Sequence, residues 1–460
     1  MYGSWSWYFL RRLHRDRGDG HDRPVSSRVL VLGLGVAGRA ALEALARREI
    51  DALAVDDAPG DEARACAVRL GVELVEAPRP GSWADLVGQV DEVVVAPGVP
   101  DRHPVFAAAR TAGVAVLDES DLAFRWDDRP RYAVTGTNGK TTVVTLVADM
   151  LERSGRRVVL AGNTDTPLVA AIEDPEADAF VVEASSFRLG HTERFLATPA
   201  AWLNFAPDHL DVHADLAAYE AAKARVWEGI GSPADAVANL ADPVVAAHAP
   251  PGATGFGTDA ADCRVEGGRL MLDGSEVVAV ADLPRTMPHD LLNAQAACAL
   301  AVRAGATTEA CAGSLAAFTG LAHRMAFVTE VAGVRYVDDS KATTPHATLA
   351  ALAGLTGAVL IAGGRNKGLD LAPLAEGRPR AVVAIGEAAA AVVVVYEGLC
   401  PVVTAESMDE AVSQAHRLAD GTGTVLLSPG CSSFDWYGSY DERGRDFQRL
   451  VGALAGTVGR

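Results

Sequence analysis

The stretch RYAVTGTNGKTTVVTLVADMLERSG, from Arg131 to Gly155, constrains this chain more than any other. A short β-type apolar run enters Gly136, and from Lys140 onward the apolar residues recur at helical spacing. A strand that passes through glycines straight into a helix opens a βαβ unit, so the region belongs to a parallel sheet with covering helices. The turn is Gly136-Thr137-Asn138-Gly139-Lys140-Thr141-Thr142. It offers backbone N–H groups at a helix N-terminus, a lysine for phosphate charge and threonine hydroxyls suited to Mg²⁺. That combination reads as an ATP or GTP site. It departs from the common G-x-x-x-x-G-K-[ST] pattern, because Val134 stands five positions before Gly139.

The same alternation of Val/Leu-rich runs and Ala/Leu-rich helical stretches extends to both sides, and 460 residues are enough for about three domains. The expected class is α/β with three domains. A Rossmann-like N-terminal domain spans residues 28–128, a central P-loop ATPase-type domain 129–322, and a Rossmann-like C-terminal domain 323–460. The charged RWDDRPRY reads as the first linker. Residues 236–283, rich in Gly and Asp, read as irregular or as a small β insertion, and the apolar run Ala388 to Tyr396 as a buried strand. Residues 1–27 mix aromatics with Arg, Asp and Gly without a sustained period, and lack the apolar core and cleavage site of a secretory signal. They read as a disordered or over-long start, with a peripheral contact through Trp5, Trp7, Tyr8 and Phe9 as the alternative.

Charge and cysteine usage narrow the partners. Lys plus Arg is 41 against Asp plus Glu 60, a formal charge of -19, which disfavours nucleic acid and anionic lipid as ligands. The six cysteines form no C-x-x-C pair and no zinc spacing, which fits reduced thiols in a cytoplasm. No apolar run approaches the ~20 residues of a membrane span.

Outside the phosphate-type turn, the motifs taken singly leave choices open. Gly33-Leu34-Gly35-Val36-Ala37-Gly38, followed by Asp56 and Asp57, suits a dinucleotide, another nucleotide-type ligand or a packing turn. Glu183-Ala184-Ser185-Ser186-Phe187 ends an apolar run, where a carboxylate would sit at a sheet mouth or simply precede a helix. In Asn204 to His213 the pair His209 and His213 has zinc-ligand spacing, but no third ligand or zincin glutamate accompanies it, so a Mg²⁺ site fits better. Lys223 in AAYEAAKARVWE reads by default as a solvated helix lysine.

Together, GTNGKTT, EASSF and the spacing from DHLD to YEAAK resemble the Mur ligases of peptidoglycan synthesis. The N-terminal GLGVAG, Asp338-Asp339-Ser340-Lys341-Ala342-Thr343-Thr344 and the closing LLSPGCSSFDWY resemble the branch that adds D-glutamate. The likeness runs from about Arg28 to the C-terminus. It implies an ATP- and Mg²⁺-dependent amide ligase, monomeric and cytoplasmic, that takes UDP-N-acetylmuramoyl-L-alanine and D-glutamate through an acyl phosphate.

Residue by residue, the resemblance implies that Gly136 to Thr142 hold the ATP phosphates, with Lys140 catalytic. Thr141, Glu183 and His209 place Mg²⁺, together with Lys223 as a carbamylated lysine. Asn293, Arg324, Asp339 and Lys341 contact the nucleotide. Thr343, Lys367, Ser433 and Phe434 form the D-glutamate pocket, and Asn163 and Ser185 face the muramoyl substrate. Gly33, Gly35, Val36, Ala37, Gly38 and Asp56 then bind the UDP moiety rather than NAD. The chain departs from the family at Asp165, where Gly is usual, and at Asp290, where Asn is common.

Overall fold

The computed structural model describes residues 28–209 and 212–458; the segment with Trp5, Trp7, Tyr8 and Phe9, and Asp211 from the Asn204 to His213 motif, lie outside the described residues. The chain divides into two compact units, one of residues up to Trp126 with His191–Glu193, the other of the remainder.

The first unit is built on five parallel strands, in spatial order Glu73–Glu76, Asp51–Asp56, Arg28–Leu32, Glu92–Val95 and Ala115–Leu117. Strand order reverses beside Arg28–Leu32, so the loop after that strand opens at a topological switch point. Leu30, Leu32, Leu53, Val55, Val93 and Val95 pack against Trp83, Val87 and Val105 on one face. The helix Val36–Arg47 leaves the Gly33–Gly35 turn and buries Ala41, Leu42, Ala44 and Leu45. Gly38 permits this packing: a Cβ there would lie 1.8 Å from the Gly33 carbonyl oxygen. Gly38→Ala is therefore expected to lower stability by about 1–3 kcal/mol, or more if the turn cannot shift. A denaturant midpoint equal to that of the wild type would show that the turn is free to move.

The second unit carries two sheets. The central one has nine strands, in spatial order Ser275–Ala279, Arg269–Leu272, Cys263–Glu266, Thr254–Phe256, Ala236–Asn239, Ala200–Trp202, Arg131–Thr135, Ala179–Glu183 and Val158–Gly162. Arg131–Thr135 and Ala179–Glu183 are buried along their whole length. This is why their sequences read as near-continuous apolar runs rather than as alternations. The helices Lys140–Arg153 and Pro288–Arg303 cover one face, with Val143, Val147 and Leu151 meeting Ala297, Leu300 and Ala301 in one core. Residues 236–283 are not irregular; the β alternative holds, with the strands joined to the main sheet. These residues supply five strands that extend the sheet, three of them as an antiparallel meander.

The C-terminal sheet runs Ala326–Val331, Val334–Asp338, Gly423–Gly430, Val359–Gly363, Ala381–Ile385 and Val402–Ala405, parallel except for the first hairpin. Three loops leave the C-terminal ends of adjacent strands here, after Asp338, Gly363 and Gly430.

The run read as a strand, Ala388 to Tyr396, is instead the helix Ala389–Tyr396. Val392 and Tyr396, four apart, are buried, whereas Val394 is 70% exposed. A strand would have put all three on one face. Among the described residues no helix is long and apolar enough to cross a membrane.

Candidate active site

The phosphate-type loop is held from several directions. Strand Arg131–Thr135 ends at Gly136, and the fourteen-residue helix begins at Lys140 with no acidic residue in its first turn and no side-chain cap on its free N–H groups. Those groups and the helix dipole favour an anion. Gly139 has φ +87°, and a Cβ there would lie 2.5 Å from Asn293 Oδ1. Only glycine admits both the backbone and the close asparagine. Asn138 and Asn204 clasp each other: Asn138 N–H donates to Asn204 Oδ1 at 2.9 Å, and Asn204 Nδ2 donates to the Asn138 carbonyl at 3.1 Å. The Thr137 hydroxyl is engaged by Ala206 and, at 3.1 Å, by the Tyr219 hydroxyl.

Two lysines converge on one carbonyl. Lys140 Nζ donates to Gly136 O at 2.9 Å and to Thr137 O at 3.2 Å, and Lys223 Nζ donates to Gly136 O at 2.8 Å. The solvated position expected by default for Lys223 is wrong: it is 1% exposed. On helix Leu216–Ala224, Tyr219, Ala222 and Lys223 share the buried face, and the ammonium lies 4.7 Å from the centre of the Tyr219 ring. Burial, reinforced by the Lys140 charge, pushes the Lys223 pKa well below the ordinary lysine value. Burial also lowers that of Lys140, against the pull of Glu183 and Asp208.

Glu183 ends a fully buried strand and is itself 3% exposed. Its Oε1 accepts from Asn163 Nδ2 at 3.1 Å, whereas Oε2 is buried with no hydrogen-bond partner. A buried carboxylate oxygen in that condition calls for a cation or a donor from a ligand. His209 (φ +57°) sits 3.2 Å from Asp208 through Nε2 and edge-on to Phe187. His213 faces Ser186 Oγ at 2.9 Å. The Ser185 hydroxyl accepts from the Arg188 N–H.

The C-terminal lobe adds charge from across the cleft. Lys341 Nζ lies 3.2 Å from Thr141 Oγ1 and 5.2 Å from the Tyr440 ring centre. Its pKa is pushed down to about 8, chiefly by burial and then by Arg324; Glu183 and Asp165 pull the other way. The departure at Asp165 thus puts a carboxylate within electrostatic reach of this ammonium. Asp339 is pushed up to about 7 by burial, although Ser428 Oγ donates to it at 2.8 Å and Met325 N–H at 3.1 Å. Arg324 Nε is buried without a hydrogen-bond partner. A cavity of about 400 Å³ brings Asn138, Gly139, Thr142, Asn293, Arg324 and Asp339 together. Asp290, the other departure, lines it too, and accepts from Arg285 Nε at 3.0 Å.

The residues read for D-glutamate occupy the three C-terminal-sheet loops. Arg365 and Ser432 exchange backbone hydrogen bonds of 2.9 and 3.0 Å, joining the loop of Lys367 to that of Ser433 and Phe434. Gly430 N–H donates to Ala342 O, joining the loop of Thr343 as well. Lys367 and Thr343 are half-buried, Ser433 is buried and Phe434 is exposed. In the first unit, Gly35 and Val36 are exposed at their helix start, and Ala37 is half-buried. Asp56 is occupied by the turn, accepting from Leu34 N–H at 2.6 Å and Ala58 N–H at 2.8 Å. Sequence reasoning did not single out Asn204, Tyr219, Arg285, His346 or Tyr440. Asn204 and Tyr219 lay inside the quoted motifs, and His346 follows the DSKATTP run directly.

A glycine loop between strand and helix, faced across one cleft by the cations of a second α/β lobe, defines a phosphate-loop protein with a two-lobed site. A family model described as the Mur ligase middle domain matches residues 134–301, the Mur ligase glutamate ligase domain 323–431, and the Mur ligase MurD-like N-terminal domain 27–118. The UDP-N-acetylmuramoylalanine--D-glutamate ligase of Frankia casuarinae is 42% identical over 450 residues, covering 93% of this chain and 94% of the relative. That of Rubrobacter xylanophilus is 40% identical, covering 94% and 100%. Among solved structures, a pseudomurein peptide ligase type C from Methanothermus fervidus shares the fold with a TM-score of 0.58 at 16% identity, covering 93% of this chain and all of its own. The chain belongs to the Mur ligase family.

Proposed function

We propose that the chain joins D-glutamate to UDP-N-acetylmuramoyl-L-alanine at the expense of ATP, in peptidoglycan precursor synthesis. The observation that carries this reading is the cleft in which Thr141 of the phosphate loop meets Lys341 of the DSKAT segment at 3.2 Å. Near-full-length identity to relatives named for this reaction supports the choice of amino acid.

In the proposed reaction, the muramoyl-alanine carboxylate attacks the γ-phosphorus and ADP leaves. The D-glutamate amine then attacks the acyl carbon, the C–N bond forms, the C–O bond to phosphate breaks, and the amine gives up a proton. Lys140 and the loop N–H groups stabilise charge on the phosphoryl oxygens. Arg324 and Lys341 neutralise nucleotide charge from the other lobe, and Asn163 orients Glu183. The orphaned Glu183 Oε2 fits a hard divalent cation, which Glu183, Thr141, His209 and Lys223 as a carbamate would hold. Mg²⁺ there would supply Lewis-acid neutralisation of the phosphates. A reaction that uses ATP and a UDP-linked substrate is the reason to propose the cytoplasm as its site.

The test is phosphate release from ATP and UDP-N-acetylmuramoyl-L-alanine against a panel of D- and L-amino acids. D-Glutamate should support turnover, and D-alanine and L-glutamate should not. Release driven equally by another amino acid would transfer the reading to a different ligase of the family. Lys367 is proposed to hold the distal carboxylate, so Lys367→Ala should raise the KM for D-glutamate roughly ten- to a hundredfold, the scale of one charge-assisted contact. The KM for ATP should stay near its wild-type value. An unchanged D-glutamate KM would put the carboxylate pocket elsewhere.

A further inference from the structure

The side chain of Asn138 leaves the phosphate loop toward the C-terminal lobe. Its own peptide group is already committed to Asn204, through the N–H at 2.9 Å and the carbonyl at 3.1 Å. The carboxamide is left over, and its Nδ2 meets His346 Nδ1 at 2.8 Å, across 208 positions of sequence. His346 stands in the first turn of helix Pro345–Ala353, whose cap is Thr344 Oγ1 accepting from Ala347 N–H. Five residues earlier in the same segment, Lys341 Nζ meets Thr141 Oγ1. Residues 341–346 therefore straddle loop residues 138–141 with two side-chain contacts. Asn138 and His346 both line the 400 Å³ cavity.

We propose that His346 is a positioning residue for the nucleotide: its Nδ1 accepts from the Asn138 amide and fixes the phosphate loop against the C-terminal lobe. An imidazole in this role carries its proton on Nε2. His346 is exposed, yet desolvation by the protein around its ring lowers its pKa, which favours that neutral form. The contact spans the cleft and engages a residue of the loop itself, so its loss acts on nucleotide binding before it acts on the amino-acid pocket.

The inference rests on the ATP reading, and the experiment separates the two. ATP affinity is measured by direct titration of the full chain, alongside KM values for ATP and D-glutamate. His346→Phe keeps a ring but has no acceptor, and should weaken ATP binding about tenfold, the size of one net hydrogen bond. Its D-glutamate KM should stay within about twofold of wild type, because no hydrogen bond of that pocket is removed. His346→Asn puts Oδ1 close to the former place of Nδ1 and should restore most of the affinity. In an Asn138→Ala background, His346→Phe should add little further loss. ATP binding by His346→Phe equal to that of wild type, or His346→Asn as weak as His346→Phe, overturns the role of His346 and leaves the ligase reading standing. A wild-type chain that binds no ATP overturns both.

Discussion

Lys140→Ala is expected to cut kcat for ATP-dependent amide formation by about two to three orders of magnitude or more, with the fold retained. The Lys140 ammonium donates to the carbonyls of Gly136 and Thr137, so the charge is folded back over the loop that would receive the phosphates. Burial lowers its pKa, while Glu183 and Asp208 favour the charged form. A desolvated ammonium beside a helix N-terminus stabilises charge that grows on phosphoryl oxygens more than charge already present, and this lowers the barrier rather than only the ATP KM. The side chain holds loop carbonyls and fills no apolar core, so the melting temperature should move little. Turnover near wild type in Lys140→Ala, measured as phosphate release, would remove Lys140 from the chemistry. A large drop in melting temperature would instead reassign it to loop structure.

What the sequence made legible was chemistry confined to one turn. GTNGKTT carries its glycines, lysine and hydroxyls within seven residues, and its backbone conformation follows from local rules. Fully buried parallel strands were visible for a similar reason, since burial on both faces leaves an unbroken apolar run. Lys223 was different. Whether a lysine at that helical position is solvated or buried depends on which face packs inward, and the contact that answers it lies 87 positions away at Gly136. The Asn138–Asn204 clasp and the His346 contact are long-range in the same sense. Residues 389–396 misled because four successive valines carry strong β preference, whereas helical packing of Val392 and Tyr396 decided the outcome. In the first unit the glycine pattern left its ligand open, and the structure makes it the turn between strand Arg28–Leu32 and helix Val36–Arg47. Local sequence did not disclose that Asp56 spends both carboxylate oxygens on the N–H groups of Leu34 and Ala58.

Lys223→Ala should be nearly inactive, and small carboxylates such as formate or acetate should restore part of its activity. Carbamylation requires an amine without its proton, since CO₂ is captured by the nitrogen lone pair. An exposed lysine, with a reference pKa of about 10.4, is almost wholly protonated at neutral pH. Lys223 is 1% exposed and has the Lys140 ammonium as a neighbour, and both effects disfavour the protonated form. Once formed, a carbamate would reverse the electrostatics: its negative charge would be attracted to Lys140 and would complete an oxygen donor set with the orphaned Glu183 Oε2. Lys223→Arg supplies a cation that cannot be carbamylated, so it should be as inactive as Lys223→Ala and should gain nothing from added bicarbonate. Wild-type chain incubated with isotopically labelled bicarbonate should show a carbamate carbonyl resonance by NMR that Lys223→Ala lacks, a readout independent of turnover. Full activity in Lys223→Arg would mean that a positive charge is what the site needs there. In that case Lys223 would be a second phosphate-loop cation, and the cation site would rest on Glu183 and its neighbours alone.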